Sequence, residues 1–242
     1  MNPPSTQLRA IITGASSGIG KATALAFAKA GIKLALVSRA SDRLSTVVDS
    51  VTALGVEAKS YPLDLAEITL VKEHIAAIAQ DFGSIDILVN NAGMGYTNSL
   101  EATSLADWQQ VINLNLTSVF QCIQGILPSM RDRASGMIIN VASIAASNAF
   151  PNWGAYSVSK AGLVALTKTL AIEERANGIR AVIISPGAVN SSIWDTDTVK
   201  ADFNRQAMLS PEIVAQSILH IALLPPQAVI EEITVMPSGG AL

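Results

Sequence analysis

The chain has 242 residues, of which 50% are hydrophobic and 14% are charged, and its formal net charge is −3. The length and apolar content suit one large α/β domain, and the charge balance, without a basic tract, makes nucleic acid an unexpected partner. No apolar run reaches the roughly 18 residues of a membrane span, Met1–Gln7 lacks a signal-peptide pattern, and the single Cys122 allows no internal disulfide, so we expect a cytoplasmic protein.

The first predicted unit is a strand, a glycine turn and a helix. Leu8–Thr13 is typical of a short strand, and Lys21–Ala30 has a helical pattern. The glycines between them let the backbone approach a pyrophosphate, and the helix N-terminus offers free amide donors. The spacing Gly-x-x-x-Gly-x-Gly departs from the usual dinucleotide fingerprint. The unit predicts a phosphate cradle made by Gly14, Ser16, Ser17, Gly18, Ile19 and Gly20.

Three other interpretations of this turn stay open. Gly14–Gly18 fits the nucleophile elbow of a serine hydrolase with Ser16 as nucleophile, but too little chain precedes it to supply the strands of an oxyanion loop. A nucleoside-triphosphate P-loop needs Gly-Lys-Ser/Thr, whereas Lys21 is followed by Ala22. The third interpretation is a turn that only packs a helix.

The second strand, Ile32–Val37, ends at Ser38 and Arg39. In a dinucleotide-binding fold this strand end meets the adenosine ribose, where an acid binds a free 2′-hydroxyl and an arginine accommodates a 2′-phosphate. The arginine is present, and the next acid is Asp42, so NADP(H) is favoured over NAD(H). The alternative is a solvated Arg39 that pairs with Asp42.

Strands and helices continue to alternate along the chain. This alternation predicts an α/β fold: a Rossmann-type, doubly wound, mainly parallel sheet of seven strands with helices on both faces, in one domain over residues 1–242. Asp64 is expected to cap the third helix, to bind an adenine, or both. The remaining predicted elements are helices Ser41–Leu54, Glu67–Gln80, Gly154–Ala176 and one starting at Ser210, and strands Val56–Tyr61, Ile85–Asn90, Met137–Ser143, Ile179–Ser185 and Glu231–Met236.

Two stretches depart from regular patterns. Between Ser104 and Arg131, two helical segments meet at Asn115, a poor helix former, which indicates a bend or a polar task rather than a solvent-facing side chain. Residues 190–205 have no clean period and contain Trp194. We expect a mobile substrate flap at about residues 190–208.

Tyr156 and Lys160 lie one turn apart on the same face of a predicted helix. A tyrosine normally ionises near pH 10, and a fixed positive charge beside it lowers that pKa. Ser143 closes a buried strand, and strand ends are where an open α/β sheet places its chemistry. The group therefore predicts a proton-transfer site, although Tyr-x-x-x-Lys alone also fits a surface tyrosine over a lysine stem.

No pattern of metal ligands is present in the sequence. His74 and His220 lie far apart on apolar-periodic segments, and there is one cysteine. We expect packing or surface roles for both histidines and no metal.

Taken together, these residues resemble the short-chain dehydrogenase/reductase family in its form of about 250 residues. The resemblance spans nearly the whole chain. It is carried by Thr13–Gly20, Asp64, Asn90–Gly93, Asn115, Ser143, Tyr156-x-x-x-Lys160 and Pro186-Gly187.

The resemblance implies hydride transfer between a nicotinamide and a ketone or secondary alcohol. Tyr156 would act as acid and base, Ser143 would polarise the carbonyl oxygen, and Lys160 would lower the Tyr156 pKa and bind the nicotinamide ribose. Asn115 would hold a water that links Lys160 to solvent. Beyond the glycine turn, the implied coenzyme-binding residues are Ser38, Arg39, Asp64, Leu65, Asn91, Ala92, Gly93, Tyr156, Lys160, Pro186, Gly187, Val189 and Ser191.

Two positions depart from the family's pattern. Members that prefer NADP often carry a basic residue where this chain has Ser17, so the coenzyme prediction depends on Arg39. Ser191 stands where many members have threonine, which retains the hydroxyl.

The substrate side is predicted to be mostly apolar, which suits an uncharged or weakly polar ketone. Candidate wall residues are Met94, Tyr96, Ile144, Phe150, Trp153, Ile193, Trp194 and Met208. Related members include 3-oxoacyl-thioester reductases, so Arg131 and Arg133 could dock an acidic acyl-carrier protein; favourable interaction with a helix dipole is the simpler explanation.

The family usually forms tetramers through two long helices, and the low charge content agrees with a buried surface. We expect a homotetramer. Its interface residues would be Val119, Phe120, Ile123, Ile126, Leu163, Leu166 and Leu170. The rival functions are a non-catalytic dinucleotide-binding sensor and a serine hydrolase at Ser16.

Overall fold

The computed structural model describes residues 7–201 and 203–240. Met1–Thr6, which belong to the stretch without a signal-peptide pattern, lie outside the described residues, as do Asp202 of the predicted flap and the last two residues. Seven strands are described: β1 (Arg9–Thr13), β2 (Lys33–Ser38), β3 (Ala58–Pro62), β4 (Ile87–Asn90), β5 (Gly136–Val141), β6 (Ile179–Pro186) and β7 (Glu232–Val235).

All seven strands pair in parallel in the order β3-β2-β1-β4-β5-β6-β7. The predicted seven-stranded parallel sheet is therefore confirmed. The order reverses between β1 and β4, which pair through Ile12 and Val89 among others. In an open parallel sheet the carboxyl ends on either side of such a reversal form the ligand crevice.

Helices cover both faces of the sheet. They are α1 (Gly18–Lys29), α2 (Ser41–Thr52), α3 (Ile68–Phe82), α4 (Leu105–Ile112), α5 (Ser118–Asp132), α6 (Gly154–Glu174) and α7 (Pro211–Ala222). One core packs α1, α2 and α7 against the sheet, and the second packs α3, α5 and α6 against the opposite face. Strands β4 and β5 are buried along their whole length, which explains their continuous apolar runs.

Two helix boundaries differ from the sequence prediction in an informative way. Helix α1 begins at Gly18 rather than Lys21, because the end of the glycine turn itself forms the first helical turn. Between α4 and α5 the chain continues as a π-helix over Asn113–Thr117. The predicted bend at Asn115 is this π-helix, a feature that often marks functional sites.

The outer face of α5 and α6 is less apolar than the sequence suggested. Five of the seven residues predicted to meet a partner subunit are buried within the subunit itself: Val119, Ile123, Ile126, Leu163 and Leu170. They pack on the sheet because they occupy the inward stripe of their helices. Phe120, 41% exposed, and the partly buried Leu166 remain at the surface. Within residues 7–201 and 203–240, no helix combines the length and hydropathy needed to span a bilayer.

Candidate active site

The glycine turn is packed too tightly for any side chain. Gly14 has φ +66°, and a Cβ there would lie 2.9 Å from the Ala92 Cα. A Cβ on Gly20 would lie 2.2 Å from the Gly14 carbonyl oxygen. Gly18, with φ +53°, also needs the left-handed conformation that glycine adopts without strain. The glycines therefore keep this turn close to the Asn91-Ala92 loop, and Gly14 and Gly18 leave its backbone without side chains at two of its positions.

The N-terminus of α1 is open to an anion. Ser17 occupies the N-cap with an extended backbone, its side chain makes no capping hydrogen bond, and the first turn holds no acidic residue. The first amide groups of a helix point outwards and carry partial positive charge. A glycine-rich turn beside an uncapped helix start fits the pyrophosphate of a dinucleotide.

Thr13 is a residue whose role the sequence reasoning missed. Its hydroxyl accepts hydrogen bonds from the backbone amides of Asn91 and Ala92, at 3.0 and 3.1 Å, and donates to the Val89 carbonyl. The side-chain amide of Asn91 donates in turn to the Thr13 and Gly14 carbonyls. The sequence signal that could have identified this role is a hydroxyl at the end of an otherwise apolar strand. Thr13 ties the Asn91-Ala92 loop to the glycine turn.

The end of β2 supplies polar groups for the predicted ribose region. The Ser38 hydroxyl donates to the Ser16 hydroxyl at 2.8 Å, which brings the two segments together. Arg39 is exposed and forms no ion pair with a carboxylate in the described part of the chain. The alternative of an Arg39–Asp42 pair is therefore wrong. Its guanidinium is available to a phosphate.

Asp64 does not cap α3. Its carboxylate accepts from the Ala66 amide at 2.9 Å and so closes a turn before the helix, whose N-cap is Glu67. The helix starts one residue later than predicted, which moves Asp64 out of capping range. Leu65 is buried, so this turn is anchored while the Asp64 side chain stays partly exposed.

Ser143 lies beyond β5 and not within it. The strand ends at Val141, and Ser143 is the N-cap of a short 3₁₀ turn, where its hydroxyl accepts from the Ala145 amide at 3.2 Å. The same hydroxyl faces Tyr156 and acts to lower the pKa of that phenol. The two hydroxyls therefore converge on one point.

Burial raises the pKa of Tyr156, and the hydrogen bond from Ser143 opposes that rise. This direction is opposite to the predicted lowering by Lys160. The lysine Nζ lies 5.8 Å from the centre of the tyrosine ring and donates to the Val141 carbonyl at 2.8 Å. Burial also lowers the pKa of Lys160 to about 8. Desolvation dominates both groups because both lie against the core.

Asn115 is fully buried, so the alternative of a solvent-facing side chain is wrong. Its amide group receives a hydrogen bond from the Met94 amide and donates to the Met94 carbonyl and the Ser159 hydroxyl, at 2.8 to 3.1 Å. A Cβ on Gly93 would lie 3.1 Å from the Asn115 oxygen and 3.7 Å from the Lys160 Nζ. Asn115 thus holds the loop after β4 against the helix that carries Tyr156 and Lys160.

The segment after β6 closes the other side of the site. Pro186 ends the strand, Gly187 packs against Pro237 and Met236, and Val189 pairs with Leu209. The Ser191 side chain lies beside Gly18, at the start of α1. The predicted coenzyme residues follow five strands, β1 to β4 and β6, whose carboxyl ends lie along one edge of the sheet.

The predicted substrate wall is assembled only in part. Trp153 packs edge-on against Tyr156, and Trp194 packs against Trp153. Tyr96 belongs instead to a small buried cluster with Val111, and its hydroxyl donates to Asp107. Met94 packs against the same cluster, Ile193 lies beside Gly95, and Ile144 is buried. Phe150 and Met208 are half-buried.

The two arginines proposed for carrier docking lie at the opposite edge of the sheet from Tyr156. Arg131 forms a two-pronged pair with the buried Glu174, and Arg133 pairs with Asp86 at 3.1 Å. Both side chains have intramolecular partners, which supports a structural role for each.

Comparisons with known proteins agree with this geometry. A family model described as short chain dehydrogenase matches residues 9–201. The 3-oxoacyl-[acyl-carrier-protein] reductase of Synechocystis is 37% identical over 96% of this chain and 95% of that protein, and the Thermotoga maritima reductase of the same name is 35% identical over 88% and 89%.

Solved structures are similar over the same extent. An alcohol dehydrogenase from the archaeon Thermococcus sibiricus, complexed with 5-hydroxy-NADP, superposes with a TM-score of 0.88 at 30% identity and covers 96% of this chain and 97% of its own. A metagenomic short-chain oxidoreductase in complex with NADP gives a TM-score of 0.83 at 29% identity, covering 96% and 97%.

Proposed function

The chain belongs to the short-chain dehydrogenase/reductase family, and from that premise we propose that it transfers hydride between NADP(H) and a ketone or secondary alcohol. The observation that carries the proposal is the meeting of Ser143, Tyr156, Lys160 and Asn115 at the carboxyl edge of the sheet, beside a tightly packed glycine turn. The family and the related NADP complexes support it.

The coenzyme fits the residues that are present. The turn between β1 and α1 would hold the pyrophosphate, Arg39 and the paired hydroxyls of Ser16 and Ser38 would hold the 2′-phosphate, and Lys160 would meet the nicotinamide ribose. When bound, the nicotinamide supplies hydride to a carbonyl carbon or accepts it from an alcohol carbon.

The protein's own groups handle the proton and the developing charge. In the direction of reduction, Ser143 and Tyr156 both hydrogen-bond the carbonyl oxygen, and Tyr156 gives that oxygen its proton. Its raised pKa keeps the hydroxyl protonated and ready to donate. Lys160, in its charged form, stabilises the phenolate that remains, and solvent then restores the proton.

Neither rival explains the same residues. A hydrolase at Ser16 needs a base beside that hydroxyl, but Ser38 donates to it, and the two histidines lie on α3 and α7, where His74 bonds to its own helix. A non-catalytic sensor needs the glycine turn but has no use for a Ser143 hydroxyl that faces Tyr156 and acts on its pKa. NADPH fluorescence on mixing tests the first rival, because a hydrolase gives no enhancement.

The direct test of the proposal is NADPH oxidation, followed in absorbance, over panels of ketones, diketones and acyl thioesters. We expect turnover with at least one uncharged ketone. Tight NADPH binding without turnover on any panel would favour the sensor. No binding of NADPH would contradict the proposal altogether.

Residues 190–208 form the substrate flap in this proposal, within a single domain over residues 1–242. The flap is supported by its contacts with the loop after β4, where the Thr198 hydroxyl donates to the Gly95 carbonyl at 2.8 Å. Limited proteolysis tests the idea: we expect cleavage at residues 190–208 first, and slower cleavage with NADPH and a ketone. Equal rates with and without the ligands would count against a flap.

A homotetramer is the proposed assembly. Its support is a cavity of about 330 Å³ between α3, α5 and α6, lined by Phe120, Leu127 and Leu166 among others, together with the low charge content of 14%. Sedimentation at micromolar concentration is expected to give four times the chain mass, and a monomer mass would reject the assembly. The proposal also places the protein in the cytoplasm, which cell fractionation tests.

Docking of an acyl-carrier protein is a separate proposal, supported by the names of the related reductases. Arg131→Ala is a confounded test, because it strips a buried carboxylate of its partner. Arg133→Ala removes a partly exposed pair with Asp86 and hydrogen bonds to the Ser129 and Ile85 carbonyls, but it strips no fully buried charge of its partner. We expect this variant to lose activity on a carrier-bound thioester and keep it on the free thioester; equal activity on both would argue against docking.

A further inference from the structure

Four aromatic rings form a continuous row that starts at Tyr156. Trp153 lies 5.3 Å from Tyr156, Trp194 lies 5.8 Å from Trp153, and Phe203 lies 5.3 Å from Trp194, measured between ring centres. The interplanar angles are 69°, 69° and 83°, so each contact is edge to face. The row, which we call the aromatic row, joins the start of α6 to the segment after β6.

The position of Trp194 is fixed by polar contacts. Its indole nitrogen donates to the Val189 carbonyl at 2.7 Å. Arg205 holds the same segment by donating to the Asn190 side chain at 2.8 Å and to the Ser191 carbonyl at 3.0 Å. Trp194 therefore bridges the loop after β6 and the helix that carries Tyr156.

Ile193, which precedes Trp194, and Val199 pack against the loop after β4. Ile193 and Val199 approach Gly95 so closely that a Cβ there would lie 2.7 Å from a Val199 methyl. The carboxylate next to Trp194, Asp195, is turned towards solvent, where it pairs with Arg205. The charge that follows Trp194 in sequence is thus directed away from Tyr156.

A substrate carbonyl held by Ser143 and Tyr156 carries its substituents within reach of Trp153. Rings in edge-to-face contact favour another flat ring by roughly a few- to tenfold over an aliphatic group of equal size. A long flexible chain also loses rotamer freedom when it is held against such a wall, whereas a rigid ring loses little.

We infer that Trp153 and Trp194 are specificity-determining residues, which select ketones that carry a flat aromatic or conjugated group beside the carbonyl over those with flexible alkyl or acyl chains. The inference rests on the proposed hydride transfer and goes beyond it by naming the substrate class. Neither tryptophan takes part in the proton transfer.

The test compares two ketones with equal numbers of carbon atoms, methyl phenyl ketone and methyl hexyl ketone, in NADPH oxidation by the full chain. The measured quantity is the ratio of their kcat/KM values. We expect the wild type to prefer the phenyl ketone, Trp153→Leu to lower the ratio by about tenfold, and Trp153→Phe to restore most of it. Trp194→Leu is expected to lower the ratio in the same direction, mainly through KM.

Phe203→Leu is the matched control, because Phe203 is the far end of the aromatic row and pairs with neither Trp153 nor Tyr156. The kcat/KM ratio of this variant should stay within about twofold of wild type. Thermal melting and NADPH binding identify any variant that fails to fold, and Trp194→Leu decides if Trp153→Leu does not fold. A wild type that prefers the hexyl ketone, activity on acyl thioesters alone, or unchanged ratios in both leucine variants would overturn the inference. Hydride transfer itself fails only if no carbonyl compound supports NADPH oxidation.

Discussion

Replacing Gly20 with alanine sets two opposing effects against each other. Gly20 is buried in the first turn of α1, and alanine is the better helix former by up to about 1 kcal/mol. The added methyl, however, would lie 2.2 Å from the Gly14 carbonyl oxygen and 2.6 Å from the Asn91 amide nitrogen. Non-bonded atoms normally stay about 3.5 Å apart, so the turn must open by about 1 Å.

The steric effect should win. Overpacking of this kind costs roughly 1–3 kcal/mol, so Gly20→Ala should lower the free energy of unfolding by up to about 2 kcal/mol once the helix preference of about 1 kcal/mol is subtracted. For a chain of this length that is a melting-point decrease of up to about 8 °C. Because the displaced backbone is the one that would hold the pyrophosphate, we expect NADPH affinity to fall by at least about tenfold.

Gly55→Ala provides the control. Gly55 has φ +87° and nothing within 4 Å of an added Cβ, so alanine there introduces backbone strain of about 1–2 kcal/mol and no clash. Titration of NADPH fluorescence and thermal melting should give similar stabilities for the two variants but a normal affinity for Gly55→Ala alone. A Gly20→Ala protein that binds NADPH as wild type does would refute the assignment of this turn as the phosphate cradle.

Three further outcomes follow from the charged groups. Arg39→Ala should weaken NADPH binding by about tenfold and NADH binding by less than about twofold, since only NADPH carries the 2′-phosphate. Equal losses of affinity in fluorescence titrations would contradict the coenzyme assignment. The pKa of Lys160 is about 8 in the folded chain and 10.5 in the unfolded chain, so the unfolded chain binds more protons between these two pH values. Lys160 therefore makes the free energy of unfolding rise by up to about 3 kcal/mol as pH increases from about 8 to 10.5. When urea unfolding is measured as a function of pH, the stability of the wild type should show this rise and that of Lys160→Met should not. Parallel stability curves for the two proteins would contradict the expectation. The hydrogen bond with Arg131 is the main cause of the lowered pKa of Glu174. The stability that this carboxylate contributes is therefore present above the ordinary pKa of 4.5 and is lost as pH falls through the pKa of the folded state. Glu174→Gln should lose less stability on acidification in the same urea experiments, and an unchanged dependence of stability on acid pH would mean that the pair contributes nothing.

Much of the fold could be predicted from the sequence because its signals are local. Alternating apolar runs and helical patterns gave seven strands in a parallel sheet, and a poorly helix-forming asparagine at position 115 marked the π-helix. The glycine spacing located the turn, although the start of α1 at Gly18 was missed, since a glycine carries no apolar periodicity.

Contacts between distant segments could not be read in the same way. The pairing of Arg131 with Glu174 joins two helices, and neither residue signals the other in sequence. Trp194 meets Trp153 only because Arg205 and Val189 fix the segment after β6. The direction of the Tyr156 pKa was also missed, because desolvation depends on packing that the Tyr-x-x-x-Lys spacing does not encode.

The central claim is that the Tyr156 hydroxyl transfers the proton that accompanies hydride transfer. Tyr156→Phe removes that hydroxyl and keeps the ring that packs against Trp153. With a ketone that the wild type reduces, we predict that steady-state turnover of the variant falls by at least about 1,000-fold while its NADPH dissociation constant stays within a few-fold of wild type. Turnover that survives within about tenfold, with coenzyme binding intact, would contradict the account.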